Sequence, residues 1–415
     1  MTDQDIARIG PDFAHYLDRF RCCFPQARTT KHFDTYCRGL LSDLPRKSVE
    51  PIALKSGTAV RTLQEFLTVT HWDHLQALDL YQQGVARESA RLPRDVLGRV
   101  GVIDETRCVK KGDQTPGVQR QYCGAVGKVE NCIVTVHLAV VHGRYKTLAA
   151  ADLYLPESWD TDRKRCREAG IPDDITYRPK WRLALDQVAH ASTEGLHLDW
   201  LTFDEGYGSK VPFLKILNLA RKRFVAEVPK SFSVRTSLRG LPQRAEQRLP
   251  ATATTKWRRF RLTRETLGHQ VWRARKARVW AAGQWHYLLT AINEATGEVK
   301  YFLTNAEHVG LARLLRVAFT RWNVEHLFRV AKQEVGLMHY EGRWYDGLIR
   351  HMILGLLVMG FVAQQAARLR GEKPTDHFGT DFRGSERPLC EPVATAAGHV
   401  GDTVGGPCHS LPSTA

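Results

Sequence analysis

The sequence predicts an α/β protein with an all-helical N-terminal region, a sheet-containing core, and a β-rich insertion ahead of the closing helices. Three observations carry this. Residues 1–95 place apolar side chains at three- and four-residue intervals, the period of a helix face. From Val100 the texture changes to short runs of Val, Ile, Leu and Tyr punctuated by Gly, which is strand-like. Between 231 and 306 the alternation of strand and helix gives way to Arg- and Trp-rich strands alone.

In the N-terminal region, CRGLLSDLPRKSVEPIALKSG and AVRTLQEFLTVTHWDHLQALDLYQQGVAR read as helices broken at Gly, Pro and Ser. The core then reads as strands VGVID, QYCGAVG, NCIVTVHLAVVHG and YKTLAAADLYLP, a helix over 181–193, the strand LHLDWLTFD, an amphipathic helix VPFLKILNLARK and the strand RFVAEVP. KWRRFRLTR, HQVWRARKARVW, QWHYLLTAI and EVKYFLTNA form the insertion, and helix resumes over 311–335 and 348–369. The resulting division is 1–95 helical, 96–230 first part of the core, 231–306 insertion, 307–370 closing core helices, and 371–415 a Gly-, Pro-, Ser- and Thr-rich tail expected to be disordered. No internal repeat is present.

At 415 residues and 43% hydrophobic, the chain can bury at least one large core, and two or three domains are expected. Sixty Lys and Arg against 44 Asp and Glu give a formal charge of +16, so the surface attracts polyanions. Nucleic acid is the commonest such partner, though an anionic membrane shares the signature. The nine cysteines lack CxxC pairs and regular Cys/His spacing, which reads as reduced thiols in the cytoplasm rather than a disulfide framework or zinc module. The N-terminus MTDQDIARIG lacks the pattern of a signal peptide. The apolar stretch 352–363 is short for a bilayer and reads as a buried helix, so no membrane partner is expected.

Three carboxylates stand where a metal-dependent site would need them. Asp104 ends VGVID and Asp204 ends WLTFD, so both are placed at the carboxyl ends of buried strands, where open α/β sheets bind ligands. Each is followed by Glu, but neighbours on a strand face opposite sides, and Asp104 is the better candidate of its pair. Gly206 and Gly208 give the backbone after Asp204 room to turn. Taken alone, either aspartate reads equally well as a turn residue or helix cap. In RWNVEHLFRVAK, Val324, Leu327, Phe328, Ala331 and Val335 form an apolar stripe, and Arg321, Glu325 and Lys332 fall within roughly 40° of one another along its edge. Arg321 and Glu325 are also spaced for an ordinary surface ion pair.

VIDETRCVKKG, GVQRQYCGAVGKVENC, LYLPESW, LTFDEGYG and RWNVEHLFRVAKQEVGLMHYEGRWYDGLIRHM, in that order, resemble the blocks of bacterial insertion-sequence transposases with a DDE active site. The last block is similar to the signature Y-x2-R-x3-E-x6-K of one branch, with Arg321, Glu325 and Lys332 at its spacing and Ala318 at the tyrosine position. The resemblance covers about 35–365 and implies an RNase H-like catalytic core, preceded by a helical DNA-binding domain and interrupted by a β insertion. It implies that Asp104, Asp204 and Glu325 hold Mg²⁺ or Mn²⁺, two ions together, for cleavage and strand transfer at the ends of the element. Arg321 and Lys332 would then grip phosphates. A homodimer assembled on DNA is expected, because joining two ends needs a paired complex.

The insertion adds a second DNA-facing expectation. Over 256–278, nine of 23 residues are Lys or Arg and only Glu265 is acidic, with Trp257, Phe260 and Trp272 interleaved. Trp257, Arg258, Arg259, Trp272, Arg273, Arg275 and Lys276 suit backbone neutralisation and base stacking. The resemblance further implies a base-stacking aromatic, for which Trp257, Trp272 and Trp322 are the candidates; the competing reading packs these rings into the insertion's own core. Lys110 and Lys111 read as phosphate contacts or as solvated loop lysines, and Arg46 with Lys47 as part of a repeat-recognising helix start. His351 reads as a satisfied core histidine. A basic DNA-binding repressor with structural carboxylates, or a derivative that cuts without joining, are the alternative functions.

Overall fold

The structure is a computed structural model that describes residues 3–124, 126–253, 257–264 and 268–369. The expected tail, 371–415, lies outside them. Five helices form the N-terminal region: α1 (Asp3–Asp18), α2 (Ala27–Leu41), α3 (Val49–Ser56), α4 (Val60–Thr68) and α5 (His74–Arg91), with a 3-10 turn at Arg21–Cys23. Gly57 ends α3 in the left-handed conformation (φ 64°), and the Asp73 side chain caps α5 by accepting from the Gln76 amide. Their core is aromatic: Trp72 stacks on Phe66 with ring centroids 5.5 Å apart, and Phe24 lies against both Trp72 and Phe33.

The sheet begins with β1 (Val100–Val109), β2 (Gln119–Cys123), β3 (Lys128–His142) and β4 (Tyr145–Leu153). After α6 (Glu157–Asp160), α7 (Arg163–Glu168) and α8 (Lys180–Thr193) come β5 (Trp200–Phe203), α9 (Glu205–Gly208), α10 (Val211–Leu219) and β6 (Phe224–Val228). β3 pairs antiparallel with β1 on one side and with β2 and β4 on the other, while β1, β5 and β6 run parallel. A parallel connection needs a crossover, and α8 and α10 supply them. This is the expected RNase H-like arrangement.

The insertion contributes β7 (Ser233–Val234), β8 (Gln243–Arg244), α11 (Ala245–Arg248), β9 (Arg258–Arg264), β10 (Gly268–Ala281), β11 (Gln284–Asn293) and β12 (Val299–Thr304). Its long strands extend the core sheet, giving ten strands in the order β2-β3-β1-β5-β6-β12-β11-β10-β9 with β4 on β3. The β12 to β6 pairing, Phe302 opposite Glu227, joins insertion to core.

The chain closes with α12 (Leu311–Thr320), α13 (Asn323–Gln333) and α14 (Tyr345–Leu369). The single helix expected over 311–335 is therefore broken. Trp322 stacks on Phe319 at 4.4 Å, and the Asn323 amide donates to the Thr320 carbonyl, which satisfies the interrupted ladder. α14 is long and apolar enough to cross a membrane, yet 83% of its most apolar window is buried inside the protein. His351 on α14 is the satisfied core histidine expected, with Nδ1 2.9 Å from the Tyr36 hydroxyl and Nε2 2.9 Å from the Gly336 carbonyl.

Gly208 shows how closely α9 seats on β6: a Cβ there would lie 1.9 Å from the Glu227 carbonyl oxygen. Gly208→Ala must push α9 off the sheet, so thermal unfolding should show a loss of about 1–3 kcal/mol. An unchanged melting temperature would contradict this packing.

Candidate active site

Strand register builds the site. Val100 to Ile103 of β1 pair with Trp200 to Phe203 of β5, and Leu201 to Phe203 pair with Phe224 to Ala226 of β6. The next residue along each chain is Asp104, Asp204 and Glu227, so three acidic residues follow the last aligned positions of neighbouring strands, close enough that Asp204 acts on Asp104 and Glu227 on Asp204. On the flanks, His137 of β3 is opposite Asp104, and Lys300 of β12, two residues along from the Phe302 that faces Glu227, reaches Glu227 diagonally at 2.6 Å. Asp104 does not end its strand, contrary to the sequence reading. Pairing with β5 stops at Ile103, but pairing with β3 carries β1 on to Val109.

Alternation assigns the two faces. Glu105 turns to α8, where Lys180 donates to it at 2.9 Å and Arg107 at 2.6 Å. Asp104 turns to the opposite face, beneath the α12–α13 junction, where Arg321 Nη1 donates to its Oδ2 at 3.2 Å. Arg321 Nε lies 3.7 Å from Glu227, so one guanidinium spans two of the three acids. The Asp204 carboxylate caps α9 by accepting from the Tyr207 amide at 3.2 Å. Capping and site placement, alternatives in the sequence, are here compatible in one residue.

Glu325 is exposed and its side chain makes no hydrogen bond or ion pair among the described residues; Arg321 pairs with the sheet acids instead of with it. Its place on α13 is nonetheless defined by its neighbours. Arg321 touches Asp104, the Phe328 ring packs on His137 at 5.1 Å, and Lys332 donates to the Arg107 carbonyl at 3.3 Å. Residues 325, 328 and 332 follow the spacing of one stripe of α13, so Glu325 lies a turn before Phe328 and two before Lys332, which contact β3 and β1, while Arg321 precedes the helix across the break.

Burial governs the electrostatics. The Asp104 carboxyl is pushed up from 3.8 to about 7, first by desolvation, then by Asp204, with Arg321 opposing. Asp204 is also raised, by burial first and in part by Glu105 and Glu227. Tyr207 lies in the same acidic field: its buried hydroxyl has no hydrogen-bond partner and is held well above its usual range. His137 is pushed down to about 3 by burial and then by Lys332, so its ring is neutral. A second cluster, Asp79, His190 and Glu194, has ligand atoms within 4.8 Å of one another. It sits near the end of α8 remote from Lys180, about 15 Å along the axis, and belongs to no part of this row.

The basic and aromatic residues singled out in the sequence divide sharply. Trp272 is fully buried against Phe319 and Trp322, which removes it from any base-stacking role; its ring fills the gap between β10 and α12. Trp322 is half-buried in the same cluster. Lys110 is a strut, its ammonium bonded to the Met338 and Tyr340 carbonyls (3.3 and 2.5 Å) and its pKa lowered by burial. Lys47 likewise ties the Leu40, Ser42 and Glu334 carbonyls together, which commits its buried ammonium to the protein, while Arg46 stays largely exposed and pairs with Glu341. Arg273 and Arg275 both stack on Trp257 at 5.0 Å, and Arg275 donates to the Pro250 carbonyl. Lys276 bonds the Val309 carbonyl at 2.9 Å. Lys111 and Arg258 are exposed, as is Arg259, which pairs with Glu294 at 2.8 Å. Glu227 and Lys300 were not singled out, because their level beside Asp204 depends on pairing between distant strands.

The sheet order and the row of acids under α12–α13 define an RNase H-like protein with an acidic face. The chain belongs to the DDE superfamily endonucleases, whose family model matches residues 19–291. It is also 27% identical over 248 residues to a protein of Microchaete diplosiphon described as the probable transposase for insertion sequence element IS701, a match covering 59% of this chain and 58% of that protein. Asp104 and Asp204 fall inside the family match and Glu325 beyond its end.

The pKa of Asp104 makes a pH prediction. Its folded value, about 7, exceeds the ordinary 3.8, so its stabilising contribution is present in full below 3.8 and is lost as pH rises through about 7. Asp104→Asn cannot ionise, so without metal its melting temperature relative to wild type should climb from about pH 5 to about pH 8. A difference independent of pH would contradict the burial of this carboxyl.

Proposed function

We propose that this chain is an insertion-sequence transposase that binds the ends of its element and catalyses metal-dependent strand cleavage and strand transfer on DNA. The observation that carries the reading is the register of Asp104 beside Asp204, under a helix stripe that includes Glu325. All three donors are carboxylate oxygens, which suit Mg²⁺ or Mn²⁺. The fit is supported by the crowding itself: Asp104 is raised by burial and by Asp204, and a protein cation, Arg321, already touches it. When bound, two such ions supply activation of a water or 3′-hydroxyl and stabilisation of the leaving oxygen.

The chain's own residues do the rest. Asp104 and Asp204 would hold the cation against a rigid sheet, and Glu325, exposed on α13, would complete the acidic set from the helix. Arg321 and Lys332, one turn before and about two turns after Glu325, neutralise the DNA backbone without reading sequence. Lys111, Arg258 and Arg259 add exposed cations on separate parts of the surface that would attract DNA. Trp257, braced by two guanidiniums, and the half-buried Trp322 are the remaining aromatic candidates for a base contact. The protein works as a homodimer on DNA in the cytoplasm, since joining two ends requires two sites.

Glu325→Gln should bind a terminal DNA fragment as tightly as wild type while cleaving it at least about a hundredfold more slowly in Mg²⁺, as loss of a direct ligand exceeds loss of an outer-shell one. Cleavage assays and gel-shift titrations measure the two. Equal cleavage by the variant would remove Glu325 from the site.

A further inference from the structure

Glu227 belongs to none of the sequence motifs, yet it is the third acid of the row. Its carboxylate is divided between two cations: Oε1 accepts from Lys300 Nζ at 2.6 Å, and Oε2 lies 3.7 Å from Arg321 Nε. Arg321 is divided in turn, its Nη1 reaching Asp104 at 3.2 Å. All four side chains are nearly buried, between 12% and 15% exposed, so these attractions are weakly screened. The result is a line of alternating charge, Lys300, Glu227, Arg321, Asp104, crossing the sheet face.

We propose that Glu227 is a positioning residue that anchors Arg321 so that Asp104 can be released to a divalent cation. This rests on the reading of Asp104 and Asp204 as the metal-holding acids. A cation arriving at Asp104 must displace the Arg321 contact. With Glu227 present, Arg321 keeps a carboxylate partner at Nε and stays beside the site, where its remaining donors face an incoming phosphate. Without that anchor, Asp104 is the one carboxylate among the described residues left within ion-pair distance of the nearly buried guanidinium, and the cation competes against an undivided ion pair. Glu227 thus acts on metal affinity through Arg321, not by ligation.

A double-mutant cycle tests this, with Mn²⁺ binding to the DNA-free full chain followed by electron paramagnetic resonance. Glu227→Gln should weaken Mn²⁺ binding about tenfold when Arg321 is present and leave it unchanged in an Arg321→Met background. The same weakening in both backgrounds would mean direct electrostatics, and no weakening in either would mean a structural acid; each overturns the proposal. Glu227→Asp, which keeps the charge but withdraws it by one methylene, should give a smaller shift of the same kind and serves if the Gln variant is insoluble. Asp104→Asn separates the underlying reading: Mn²⁺ bound as tightly by that variant as by wild type would remove the metal site itself, whereas loss of binding there with a null cycle would remove only the role of Glu227.

Discussion

The register of three parallel strands is the constraint on which the site depends. Because Ile103, Phe203 and Ala226 are aligned across β1, β5 and β6, the residue after each is delivered to the same level. A slip of one residue on any strand would turn its acid to the opposite face. The apolar residues before the acids hold that register: Val102, Ile103, Phe203 and Ala226 are wholly buried. Site geometry is thus a by-product of core packing, and the repulsion it imposes is offset by one guanidinium lying across Asp104 and Glu227.

The insertion is tied to the same constraint. β12 pairs with β6 directly beside the acid row, and Lys300 reaches from it into the charged line. On the helix side, Trp272 from β10 fills the space under Phe319 and Trp322, fixing the break between α12 and α13 that aims Arg321 at the sheet. The basic, aromatic strands therefore serve the site partly as scaffold. Their exposed edge residues, Arg258 and Arg259, retain the character of a polyanion surface.

Much of this was legible in the chain. The runs ending in Asp104 and Asp204 announce buried strands, and the 3.6-residue stripe of α13 correctly marks Val324, Leu327, Ala331 and Val335 as core. What the sequence could not give was non-local. Lys110 resembles a solvated loop lysine until the Met338 to Tyr340 turn closes over it. Glu227 reads as one acid in FVAEVP, and only strand pairing reveals its neighbours. For Trp272, interleaved cations and rings look the same whether a face meets DNA or a helix; α12 decides. The i,i+4 spacing of Arg321 and Glu325 suggested a local pair, but two buried acids outcompete one exposed one for the guanidinium.

The central claim is that Asp104 and Asp204 share a divalent cation. Anomalous diffraction from crystals grown with Mn²⁺ tests it most directly. The account requires a peak within about 2.0–2.6 Å of oxygens from both aspartates, with the Arg321 guanidinium withdrawn from Asp104. A fully occupied peak at Asp79, His190 and Glu194 alone, with Arg321 still paired to Asp104, would contradict it.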